Sequence, residues 1–155
     1  MIYDEVLTLM DAHGLEVKEK PLNAHDGLIK GTNVAIRSSI TTNKRKAEVA
    51  AEELGHHLTA AGNIQDYSEQ NSWKLETKGR RVAFDIMIGL EGLVMCYEAG
   101  CRNAAEAAER LDVTVKFFTE AIDYYHSKHG RFAQYGAYMI LFEPSLTVCK
   151  LLEVK

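Results

Sequence analysis

The sequence predicts an α+β chain, mainly helical, with a small sheet and one unusual helix first and helices followed by a hairpin after. Three observations carry that expectation. Short apolar pieces between residues 15 and 37 are punctuated by Gly27, Gly31 and Asn33, as strands of a small sheet are. Residues 44–62 repeat apolar side chains at helical spacing. Beyond Gly100 the rhythm becomes a short helix, a longer helix and a hairpin centred on glycine. The expected division is a core over residues 1–90 and a C-terminal subdomain over 91–155, together one compact unit.

Taken in order, Ile2, Val6, Leu9 and Met10 define a short amphipathic helix over residues 2–13, and Gly14 can end it in a left-handed conformation. Leu15 to Pro21 is expected to be extended, with Leu15 and Val17 set among charges. Gly27–Asn33 separates short apolar pieces and Asn33–Arg37 follows, which reads as a hairpin or as two strands of a small sheet, turning near Gly31–Asn33. Ser38–Thr42 offers several N-caps for the next helix. That helix, residues 44–62, carries Ala47, Ala51, Leu54, Leu58 and Ala61 as a stripe, and Gly62-Asn63 is its expected stop. Residues 63–72 are polar and read as a loop. A second long helix is expected from Trp73, with Leu75, Val82, Ile86 and Leu90 as its apolar line and Ala83 and Met87 alongside. Gly79 weakens it by about 1 kcal/mol relative to alanine. Helix resumes after Gly89 and stops at Gly100. Asn103 caps residues 104–111 and Thr114 caps 115–128, with Phe117, Phe118, Ala121, Ile122 and Tyr125 inward. Residues 131–142 then form a hairpin turning at Gly136. This order is that of a winged-helix-like unit.

Composition narrows the function. The 155 residues are 46% hydrophobic, enough for a core, and the formal charge is −4. No broad affinity for nucleic acid or acidic membranes follows from that balance. The opening MIYDEVLTLMDAHG has acids where a secretory signal has bases. No run approaches the roughly 18 apolar residues of a membrane span. Cys96, Cys101 and Cys149 are three thiols without a CxxC pair, as expected of a reducing cytosol. A cytoplasmic protein is the expectation.

The chemistry gathers on residues 44–62. Glu52, Glu53, His56 and His57 fall opposite the apolar stripe, with Glu52 one turn from His56 and Glu53 one turn from His57. The zincin pattern HExxH sets two ligands at i and i+4, with a general-base Glu after the first. Here Glu53 and His56 are in register, and Glu52 stands at the first ligand position. A carboxylate there can bind zinc, but its extra negative charge makes the ion a weaker Lewis acid. Catalytic zinc takes three protein ligands. Two antiparallel helices would bring Glu76 within reach as the third, with Asp66 a lesser candidate in the connecting loop. A second register pairs Glu53 with His57 as ligands and leaves Glu52 or His56 for proton transfer. The competing reading is a solvated helix face, where an acid–His pair is only a surface contact. His13, His25, His126 and His129 read as surface residues, and Tyr124-Tyr125 as half core, half surface.

The block Ala51-Glu-Glu-Leu-Gly-His-His57, with Gly62-Asn63-Ile64 and Asp66 after it, resembles the phage and mobile-element branch of the ImmA/IrrE family of zinc metallopeptidases. The resemblance continues through Glu76, Ala83-Phe84, Leu90, Tyr97–Asn103, Leu111–Thr114, Tyr124-Tyr125 and Tyr138–Glu143. It implies a zincin-like core with a winged-helix-like tail and one zinc per chain. It assigns Glu53 as general base and His56 and Glu76 as ligands, with Glu52 at the first ligand position and His57 as the alternative. It also implies a prophage or mobile-element endopeptidase that cleaves or otherwise disables a helix-turn-helix repressor. This chain departs from the family at Glu52, where the first His stands, at Gly79, where the helix usually has Ala, and at Gly89, where many members have Pro.

Two other functions compete. Loss of the first His suits a non-catalytic protein that binds the repressor through a degenerate metal site. A DNA-binding role for the tail is the weakest expectation. Glu120 and Asp123 offset Lys116 and Lys128 on the would-be recognition helix, where DNA readers concentrate basic residues.

Overall fold

The computed structural model describes residues 1–60 and 69–152. Ala61, the expected helix stop at Gly62-Asn63, most of the expected loop and the candidate Asp66 lie outside the described residues. The fold is α+β, and the chain divides into two compact units, Met1–Ile86 and Met87–Lys155.

The first unit begins with helix α1, Tyr3–Ala12, whose first turn is closed by the Glu5 carboxylate accepting from the Ile2 N–H at 2.8 Å. Gly14 ends it at φ 76°. Three strands follow: β1 (Glu16–Lys20), β2 (Gly27–Lys30) and β3 (Asn33–Arg37). The β2–β3 pair is antiparallel, turning at Gly31 with φ 61°. Strand β1 joins on the other side of β3 and runs parallel to it, Glu16 opposite Asn33 and Lys20 opposite Arg37. The order is therefore β1-β3-β2, with β2 at an edge. Side chains alternate across the sheet. Val34 and Ile36 are buried beneath helix α2, which packs on β2, β3 and α1.

Helix α2 spans Asn43–Thr59, capped by Thr42, whose hydroxyl accepts from the Arg45 N–H at 3.3 Å. The expected stripe is corrected at its end. Ala47, Ala51 and Leu54 are fully buried, but Leu58 is 42% exposed. The buried face is also broader than the stripe, taking in Glu48, Val49, Ala50 and Glu53. The cause is that α2 has protein on more than one side: sheet and α1 below, and helix α3 (Glu69–Met87) against Gly55. A Cβ on Gly55 would fall on the Gly79 carbonyl. Helix α3 already runs at Glu69, one turn before the expected start at Trp73. Its buried residues include Gly79, Phe84 and the expected Ala83 and Met87, while Leu75, Val82 and Ile86 are only half-buried. The contact of Gly79 with α2 sets which side of the helix is turned inward, so the buried line is displaced from the apolar spacing.

The second unit holds α4 (Gly89–Glu98), α5 (Ala104–Leu111) and α6 (Val115–His129), then an antiparallel sheet of β4 (Phe132–Tyr135), β5 (Tyr138–Leu141) and β6 (Thr147–Lys150). The expected caps are present: Asn103 accepts from the Glu106 N–H at 2.9 Å and Thr114 from the Phe117 N–H at 3.2 Å. Gly89 opens α4 at φ 63°, and its N–H donates to the Tyr125 hydroxyl at 3.1 Å. Leu93, Phe117, Phe118, Tyr125 and Ile140 form the centre of this unit's core, while Ile122 is only half-buried. Strand β6 was not expected from sequence. Its residues, Thr147–Lys150, are one short alternation after Pro144 and Ser145, and only pairing with β5 makes them a strand.

Candidate functional site

Five residues of α2 (Arg45, Glu48, Glu52, Glu53 and His56) and two of α3 (Glu76 and Arg80) make the site. Helical spacing sets Glu48, Glu52 and His56 in one line along α2, and Glu76 and Arg80 one turn apart on α3. The two helices can come this close because Gly55 and Gly79 have no side chains. The His56 ring lies over Gly79, and any Cβ there would strike its Nδ1. The glycine that weakens α3 as an isolated helix is thus what admits the imidazole.

Across that contact His56 Nε2 stands 3.5 Å from Glu76 Oε2, with His56 mostly buried and Glu76 exposed. Glu53 is 8% exposed and does not face solvent as the sequence suggested. Its carboxylate lies against the start of β2. A Cβ on Gly27 would come within 2.7 Å of both Glu53 Oε1 and Val49 Cγ1. Burial, then the charges of Glu76 and Glu52, pushes the Glu53 pKa up to about 7. Burial also raises that of Glu52, against the opposing pull of Arg45 and Arg80.

Sequence reasoning missed these two arginines. Glu52 Oε1 lies 3.9 Å from Arg45 Nη1 and 3.7 Å from Arg80 Nε. Arg45 is also 3.4 Å from the fully buried Glu48, and its Nη2 donates to Asp26 at 3.1 Å. Burial opposes the Arg45 charge, but the hydrogen bond to Asp26 and the charges of Glu52 and Glu48 outweigh it and raise its pKa. The available signal was spacing: Arg45, Glu48, Glu52 is an i, i+3, i+7 run on α2, and Arg80 follows Glu76 by four.

Whether zinc suits these residues can be tested on the distances. Two donors on a tetrahedral ion with bonds of about 2.1 Å are about 3.4 Å apart. His56 Nε2 and Glu76 Oε2 meet that separation. Glu52 has suitable chemistry but is engaged by guanidinium groups. Both contacts are longer than a hydrogen bond, so they neutralise the carboxylate without fixing its lone pairs. Among the described residues no group of three His, Cys, Asp or Glu side chains is close enough to hold an ion. His56 and Glu76 thus supply two donors at a separation that suits one ion, while Glu52 is held by the two arginines. His57, half-buried on α2, forms no ion pair among the described residues. No protein-family model matches the chain, and no curated protein matches it.

Proposed function

We propose that the chain is a zincin-like zinc metallopeptidase of the ImmA/IrrE type, from a prophage or mobile element, that acts on a helix-turn-helix repressor in the cytoplasm. The supporting observation is the pairing of His56 with Glu76 at 3.5 Å across α2 and α3, beside the buried carboxyl of Glu53. His56, Glu76 and Glu52 would hold one zinc per chain. A divalent ion bound there supplies a Lewis acid and a more acidic water. Glu53 takes a proton from the attacking water and returns it to the leaving amine. A proton affinity near neutrality suits a group that must do both. Gly27 leaves the start of β2 bare beside that carboxyl. As an edge strand, β2 offers backbone groups to an extended substrate segment. The second unit, in this reading a winged-helix-like tail, would contribute surface for recognising the repressor.

One observation favours a second reading. Arg45 and Arg80 put positive charge at the first ligand position. A chain that keeps those ion pairs would bind the repressor without cutting it. Metal analysis and a Glu53→Gln variant separate the two. The peptidase reading expects about one zinc per chain after purification without chelator, with Glu53→Gln folded, still binding metal, and inactive on the repressor. Repressor loss that persists in Glu53→Gln overturns it, and a metal-free protein that still relieves repression assigns the binding mode.

A further inference from the structure

Within the described residues of the first unit, α1 and α2 pack on one face of the sheet. Val34 and Ile36 point to α2, so Asn33 and Ala35 point the other way, as do Lys18 and Leu28 by register, the partners of Ala35 on either side. On that face a trough of about 400 Å³ runs along β3. Its floor is Ala35, the smallest side chain on this face of β3. Lys18 and Lys20 of β1 form one bank, and Leu28 and Lys30 of β2 form the other, with Leu22 near one end. Leu28 is 48% exposed and Lys18 is 62% exposed. Among the described residues the one acid lining it is Glu16, 3.4 Å from Lys18. A chain of net charge −4 therefore carries a basic, partly apolar face.

A sheet face with apolar side chains is ordinarily covered by another layer. The banks are two strand spacings apart, about 9.6 Å, close to the width of one helix at about 10 Å. We propose that this face docks an acidic amphipathic helix of a partner protein, its apolar stripe on Ala35, Leu22 and Leu28 and its carboxylates toward Lys18, Lys20 and Lys30. Charge complementarity selects an acidic partner, and the aliphatic floor selects a protein over a nucleic acid. The floor has no aromatic ring on which a base could stack. The inference does not depend on the metal or on Glu53, which belong to the opposite side of the sheet.

The test uses the full chain and a fluorescein-labelled helical peptide of about 18 residues built from Glu, Leu and Ala with the acids along one flank. Anisotropy titrations compare the native protein with Lys18→Gln/Lys20→Gln/Lys30→Gln and with Ala35→Trp, which fills the trough. All are checked for folding by circular dichroism. The expected result is binding at low salt, weakened about fivefold or more by either variant. Amide shifts on binding should centre on residues 18, 30 and 35. No binding to the native protein, equal binding to both variants, or shifts centred elsewhere would overturn the proposal. So would a duplex DNA that competes with the peptide and depends on the same lysines, which would reassign the face to nucleic acid.

Discussion

Glu53 is the residue on which most turns. An ordinary Glu loses its proton near 4.5, whereas Glu53 holds its proton to about 7. Between those values the folded chain binds more protons than the unfolded one, so this group's contribution to stability is full below 4.5 and declines as pH rises to about 7. In chelator-treated protein, Glu53→Gln should be the more stable form at pH 7.5 by about 3 kcal/mol, with the difference vanishing near pH 4.5. Thermal unfolding of both forms across that range checks it, and parallel curves would show that Glu53 is not in so dry a place. Cysteine chemistry is predicted by the same reasoning. Burial, then the neighbouring Cys101, pushes the Cys96 thiol up to about 12, while Cys149 is exposed. A maleimide at pH 7.5 should label Cys149 and leave Cys96 untouched until the chain is unfolded.

Helices α2 and α3 meet through Gly55 and Gly79, so glycine replacement should act against helix propensity. Alanine in an exposed helix gains about 1 kcal/mol over glycine. Here a Cβ on Gly55 would strike the backbone of α3, and overpacking of that kind costs about 1–3 kcal/mol. Gly55→Ala is expected to lower stability in denaturant titrations even though it favours the isolated helix. Gly79→Ala has a narrower effect. It displaces the His56 ring, so zinc affinity should fall more than stability, which calorimetric metal titration beside thermal melts can separate. These glycines also mark how far sequence alone reached. The caps at Asn103 and Thr114, a cap within Ser38–Thr42 and the turns at Gly31 and Gly136 were legible because their signals are local. The buried line of α3 was legible only at Ala83 and Met87, because the rest is set by a contact with α2 that no periodicity encodes. The meeting of His56 with Glu76 was legible from helix spacing and the expected antiparallel pair. The capture of Glu52 by Arg45 and Arg80 was missed, since it depends on where two long, flexible side chains end.

At the scale of the whole molecule, each unit has its own buried centre: Met10, Ile36 and Leu54 in the first, Leu93, Phe117 and Ile140 in the second. A fragment of residues 87–155 should therefore unfold cooperatively alone, as heat-monitored circular dichroism would register. Multiphasic melting of that piece would mean that its order is borrowed. Its first turn poses a particular problem. Ile88 precedes α4 and has no polar side chain to receive the amides that every helix start leaves open. The phenol of Tyr125, 36 positions further along, takes one of them from Gly89. Removing that single oxygen with Tyr125→Phe keeps the ring packing yet strands an amide, costing about 1–3 kcal/mol. The beginning of the C-terminal half is thereby stitched to that unit's longest helix, so a change at the far end of the sequence reaches the start of α4 through one oxygen.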